Sequence, residues 1–243
     1  MIDSAVLERH GISVTTVDLS EIIGAANKLD ANAATVKAKL AEITGYAPAP
    51  GVPNDKLVQM AKMGVVLTDW MNANHLDATA IQCWTSVQAN FGCNVCTLMS
   101  MMSNDLAPSA CEVDVMGTVA MYALALASET PSALLDWNNN YADDPDRCVL
   151  FHCGNWAKSF VPDIEIKTAP ILGTTLGEEN TFGAMAGRAA AGRSWLLADL
   201  EPGESRDADD RHPGGYFPAQ GRPAGQQFGQ DRGKITVCGR PPP

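Results

Sequence analysis

Short β-branched or apolar runs alternate with helix-patterned stretches along most of this 243-residue chain, and that alternation constrains the fold more than any other feature. The run inside "HGISVTTVDLSEIIGAANKLD" passes at once into a helical pattern. "DATAIQCWTS", "SALLDWNN" and "DRCVLFHCG" repeat the strand-like theme between further helical stretches. Strands separated by helices mark βαβ units, because a parallel neighbour is reached by a crossover and not by a tight hairpin. The expected fold class is therefore α/β, a mostly parallel sheet with flanking helices. "GYAPAPGVPND", residues 45–55, is expected to be a Pro/Gly loop between two helices rather than a domain linker.

With 46% apolar and 19% charged residues the chain has enough apolar surface for a real core. Its longest uncharged run, between Asp114 and Glu129, is too short to span a bilayer and fits a buried helix. The opening "MIDSAVLERH" lacks the basic and apolar regions of a secretory leader. No membrane partner is expected, and the cytoplasm is the expected compartment. A net charge of -11 leaves no basic stripe to displace counterions, so no nucleic-acid partner is expected either. Seven cysteines, an odd number, suit a reducing compartment better than a disulfide framework.

Both ends depart from this pattern. Residues 5–9 look like the end of a helix stopped by Gly11, with no strand before it, so a portion upstream is expected to be missing. From 199 to 243 there are 7 Pro and 8 Gly, with "KITVC" the sole apolar run of note. Such a segment buries too little surface to offset its ordering entropy, and a poorly ordered tail is expected.

Polar residues that could carry chemistry fall at the boundaries of the strand-like runs. "PSACEVDVMG", 108–117, sets Glu112 and Asp114 just ahead of the uncharged run. Ser109 and Glu112 have the S-x-x-E spacing of a capping box, which would account for Glu112 as a helix-start residue, and negative charge there also suits the helix dipole. Asp136 ends AlaLeuLeu and His152 ends CysValLeuPhe. Both are expected at the carboxyl ends of strands, the edge where open parallel sheets bind ligands. Each also has a structural explanation, Asp136 as a turn cap and His152 as a hydrogen-bonded core histidine. Two carboxylates and an imidazole together form an oxygen-rich donor set suited to Mn²⁺ or Mg²⁺. A rival cluster is Cys93-x-x-Cys96, with Cys153 as a further thiol. A lone CxxC is weak evidence of zinc, and Leu98, Met99, Met101 and Met102 around it look like packing residues. A non-catalytic zinc- or thiol-binding module is the alternative function.

"AIQCWTS", "SACEVDVMGTVAMYALA", "LLDWNNNY", "LFHCGNWAKSF" and "ILGTTLGEENTFGAMAGR", in this order, resemble the central and early C-terminal parts of the L-fucose isomerase and L-arabinose isomerase superfamily. The resemblance covers roughly 5–190 and is most specific in the acid-centred motifs. It implies an aldose–ketose isomerase of carbohydrate metabolism that uses Mn²⁺, takes a monosaccharide and assembles as a homo-oligomer. Glu112 and Asp136 are implied as metal ligands that also move the proton, His152 as a further ligand, and Gln82, Trp84 and Asn138 as sugar-contacting residues. The domains implied are 1–165, the α/β central isomerase-type domain; 166–198, the beginning of a β-rich C-terminal domain; and 199–243, the Pro/Gly-rich tail.

The chemistry needs these residue types. As an aldose becomes a ketose a proton leaves C2 and returns to C1, and the enediolate between them carries charge on neighbouring oxygens. A divalent cation stabilises that charge and a carboxylate carries the proton. His212, the histidine of the tail, does not match the family motif. The chain by itself is therefore expected to bind metal weakly and to turn over sugar little or not at all.

Overall fold

The computed structural model describes residues 4–141, 143–152, 154–189, 194–195, 217–218 and 235–239. At 137–141, 144–151 and beyond 189 it describes the backbone alone.

A short helix α1 (Ser4–Glu8), closed by Gly11 at φ 79°, leads into β1 (Ser13–Val17). Asp18 then accepts a hydrogen bond from the Ser20 amide at 2.8 Å and starts α2 (Leu19–Lys28), which buries Ile22, Ile23 and Ala26. Helices α3 (Ala34–Tyr46) and α4 (Asn54–Ala73) flank the expected Pro/Gly loop and pack on each other. In α4 the buried Leu57, Met60, Ala61, Gly64, Leu67 and Met71 recur at helical spacing. Gly64 is needed for close approach, since a Cβ there would stand 2.8 Å from Leu98 Cδ2.

Strand β2 (Leu76–Ile81) enters the core after α4, followed by α5 (Ser86–Phe91), α6 (Cys96–Asn104), β3 (Ser109–Cys111) and α7 (Val115–Ser128). The sheet order is β1-β10-β2-β3, where β10 is Ile235–Gly239, the "KITVC" run. β2 and β3 pair in parallel, whereas β10 is antiparallel to both β1 and β2. Three of the four strands thus point the same way, and the fold is α/β with flanking helices. α7 is the uncharged run. It buries Val115, Thr118, Met121 and Ala125 and leaves Leu126 59% exposed, so it is buried along one side.

After α7 the chain forms an antiparallel pair, β4 (Asp136–Tyr141) and β5 (Asp144–Phe151). A second pair joins β6 (Glu165–Lys167) to β7 (Ala184–Ala186), with α8 (Pro170–Leu176) and a 3₁₀ turn between them. Ile166 and Met185 lie in the same buried cluster as Ile22, Met60 and Ile81. Asn94 Nδ2 donates to the Thr181 carbonyl at 2.8 Å and Thr97 Oγ1 to that of Gly183 at 2.8 Å, which ties this segment to the α5–α6 junction. Two short strands, β8 (Ser194–Trp195) and β9 (Phe217–Pro218), pair with each other. Among the described residues no helix is long and apolar enough to cross a membrane.

Candidate active site

Parallel strands β2 and β3 are in register at Thr79 with Ser109, Ala80 with Ala110 and Ile81 with Cys111. They end together, so Gln82 and Glu112 leave the sheet side by side at its carboxyl edge, the ligand-binding edge of open α/β sheets. The free side of β3 is covered as well, because Asn155 Nδ2 donates to the Ser109 carbonyl at 3.1 Å. The rest of the Asn155 side chain is buried, and its Oδ1 has no hydrogen-bond partner among the described residues.

Glu112 is exposed and stands in a tight turn, not in a capping box. Ser109, the expected cap, is a buried residue of β3 whose hydroxyl accepts from Thr79. The cap of α7 is Asp114, whose carboxylate accepts from the Gly117 amide at 2.7 Å. A Cβ at 117 would stand 2.5 Å from Asp114 Oδ2, so a larger residue there would displace the carboxylate. Glu112 is therefore not the helix cap, and it stands exposed just past a strand end.

Gln82 is 6% exposed and donates from Nε2 to the Trp84 carbonyl at 2.7 Å. Trp84 is 6% exposed too, and its indole N–H has no hydrogen-bond partner among the described residues. Buried indole donors are usually satisfied, so both it and the Asn155 oxygen stand out.

Asp136 is not where the sequence pattern put it. AlaLeuLeu, 133–135, is irregular, and Asp136 opens β4 instead of closing a strand. The stretch before it is held by side-chain bonds: Ser132 Oγ donates to the Met121 carbonyl at 2.7 Å, and Trp156 Nε1 to that of Leu134 at 2.8 Å. His152 does follow a strand end, directly after β5, and is 5% exposed. Asp136 pairs with Phe151 in the β4–β5 ladder, so Asp136 and His152 share the open end of one hairpin. The backbone of Asn138 lies within β4; its side chain falls outside the described residues.

The structure thus makes two pairs of the expected site residues, Gln82 with Glu112 and Asp136 with His152. Among the described residues no group of three His, Cys, Asp or Glu side chains gathers closely enough to hold a metal ion. Cys93 and Cys96 are buried and form no disulfide among the described residues, and burial pushes the Cys93 thiol up to about 12. Cys153 lies outside the described residues.

Sequence reasoning noted Asp114 without its capping role and missed Gly154 and Asn155. The D-x-x-G of Asp114 and Gly117 was a legible cap signal. Gly154 carried no such signal: it has φ 78°, and a Cβ there would meet the Met185 carbonyl oxygen at 2.1 Å.

Fold and edge define an α/β protein that presents a carboxylate and a carboxamide where such sheets handle small molecules. In sequence the chain is similar to sulfoquinovose isomerases. The protein of that name from Clostridium sp. (strain MSTE9) is 27% identical over 161 residues, 65% of this chain and 35% of the relative. That from Alkalicoccus urumqiensis is 26% identical over 150 residues, 61% and 33% of the two chains, and that from Priestia megaterium 25% over 136 residues, 55% and 30%. The chain therefore spans about one third of the length of these curated relatives. No family model matches it, and no solved structure does.

Proposed function

We propose that this chain carries part of an aldose–ketose isomerase of carbohydrate metabolism, working through an enediolate in the manner of the L-fucose and L-arabinose isomerases. The observation that carries the reading is the side-by-side exit of Gln82 and Glu112 from paired parallel strands, in a chain similar to sugar isomerases. Glu112, exposed at the edge, takes the proton from C2 of the aldose and returns it to C1, while the O2 hydroxyl proton passes to O1. Gln82 has its amide nitrogen committed to the Trp84 carbonyl and presents its amide oxygen to a sugar hydroxyl. Trp84 and Asn138 complete the sugar contacts in this reading.

The donor types of Glu112, Asp136 and His152 match Mn²⁺, and a hard cation shared among them belongs to the same proposal. The steps above are assigned to the chain's own groups. A cytoplasmic setting, a homo-oligomeric assembly and the division at 165 and 198 also belong to this reading.

Solvent exchange at C2 tests it. The chain is incubated in D₂O with Mn²⁺ and, in separate samples, L-fucose, L-arabinose and sulfoquinovose, and loss of the C2–H proton signal is followed by NMR. Exchange above the protein-free rate that vanishes in Glu112→Gln supports the reading. Exchange that survives unchanged in that variant refutes the role of Glu112.

A further inference from the structure

Helices α3, α4 and α6 leave a cavity of about 290 Å³ between them, the size of a compact small-molecule site. Its apolar wall is built from Leu67 and Met71 of α4 and from Leu98, Met101 and Met102 of α6. Leu76, the first residue of β2, and Ala107, just ahead of β3, line it as well. The cavity therefore lies toward the amino ends of these strands, whereas Gln82 and Glu112 leave their carboxyl ends.

The charged groups at this cavity are not equivalent. Lys39 lays its aliphatic stem over Gly64, where a Cβ would stand 3.1 Å from Lys39 Cγ, and its ammonium pairs with Glu42 at 2.5 Å. That pair cancels one charge of each sign. Asp105 follows α6 directly, and its side chain is exposed and takes part in no hydrogen bond or ion pair among the described residues. One acid is thus left over beside the apolar wall, in a chain whose net charge of -11 already favours cations over anions. The three methionines give the wall a polarizable, adaptable surface of the kind that packs well against an aromatic ring.

We propose that this cavity binds a small arylalkyl amine, its ring against Met71, Met101 and Met102 and its ammonium at the Asp105 carboxylate. Such an amine is protonated at neutral pH. The site is separate from the Gln82–Glu112 edge and does not depend on the isomerase reading.

The test is a titration of the full chain, ¹³C-labelled at its methionine methyls, with phenethylammonium chloride at neutral pH. Saturable shifts are expected at Met71, Met101 and Met102, and none at Met60 and Met185, which do not line the cavity. Asp105→Asn should raise the half-saturating concentration about threefold to tenfold, the effect of losing a partly solvated charge pair. 2-Phenylethanol, nearly the same body without the charge, should bind the unaltered chain about as weakly as the amine binds that variant. Thr68→Trp, a change at an exposed position that lines the cavity, should abolish the shifts. No saturable shift of the three methyls up to about 10 mM amine, shifts spread evenly over all methionines, or binding untouched by Thr68→Trp overturns the site. Unchanged binding by Asp105→Asn, or 3-phenylpropanoate binding more tightly than the amine, overturns the assignment to an amine. If a variant fails to fold, the comparison of amine with 2-phenylethanol in the unaltered chain decides alone, and equal affinities there overturn the proposal.

Discussion

Thr79 and Ser109 meet hydroxyl to hydroxyl at 2.6 Å across the parallel strands β2 and β3, both fully buried. The contact lies two residues before the common end of the strands, so it secures the register that sets Gln82 beside Glu112. A slip by one residue would turn Glu112 to the opposite face.

Replacing Thr79 with valine leaves the Ser109 hydroxyl buried without this donor. A loss of about 1–3 kcal/mol in urea unfolding is expected. Thr79→Val combined with Ser109→Ala removes both polar groups and should cost less than the sum of the single changes, a coupling that a double-mutant cycle measures directly. Additive costs would show that the hydroxyl pair does not lock the strands.

The cap of α7 separates two readings of the same acidic stretch. Asp114→Ala removes the acceptor for the Gly117 amide and should cost about 1 kcal/mol, whereas Asp114→Asn retains most of the bond. Glu112→Gln, at an exposed position, should change stability by less than about 0.5 kcal/mol. Denaturant midpoints of the three variants check this, and the reverse ranking would restore Glu112 as the cap.

Gly154 sits two residues after His152 and one before Asn155, so its conformation governs how the hairpin returns to the edge of β3. Alanine there meets both left-handed backbone and the Met185 carbonyl, and should destabilise by about 2–4 kcal/mol from overpacking and strain together. Thermal unfolding of Gly154→Ala against Gly51→Ala, where φ is likewise positive at 75° and nothing lies within 4 Å, isolates the steric part.

What could be read in the sequence was what depends on local pattern. The β-branched run before Asp18 gave β1 and α2, the prolines at 48, 50 and 53 gave the loop, and the apolar context of Cys93 and Cys96 gave their burial. Glu112 was placed at an element boundary, but the S-x-x-E spacing named the wrong cap. Spacing alone cannot tell that the Ser109 hydroxyl is already used between strands. Asp136 was misplaced because AlaLeuLeu has strand-like composition while bonds from Trp156 and Ser132 hold it irregular. "KITVC" was an apolar run in a tail, and its pairing with β1 and β2 across most of the chain length leaves no local trace.

Stability at alkaline pH provides the last prediction, through the buried Cys93 thiol. Burial raises the Cys93 thiol from an ordinary 9.0 to about 12, and the Lys56 ammonium opposes this only weakly. Burial raises Tyr46 in the same direction, against the lowering effect of its hydrogen bonds to Ser100 and Lys158. Between the unfolded and folded values the native state keeps a proton that the unfolded chain has released. Unfolding is then favoured as pH rises, so the contribution is complete below about 9 and is lost by about 12. Urea midpoints measured from pH 8 to 11 should fall, and Cys93→Ala should flatten the slope without abolishing it, because Tyr46 remains. In the same series the thiol should stay unreactive to a disulfide reagent at pH 8 until the protein unfolds, since the thiolate is the attacking form. Rapid labelling of Cys93 in the folded chain, or a slope unchanged by Cys93→Ala, would show that the thiol is open to solvent.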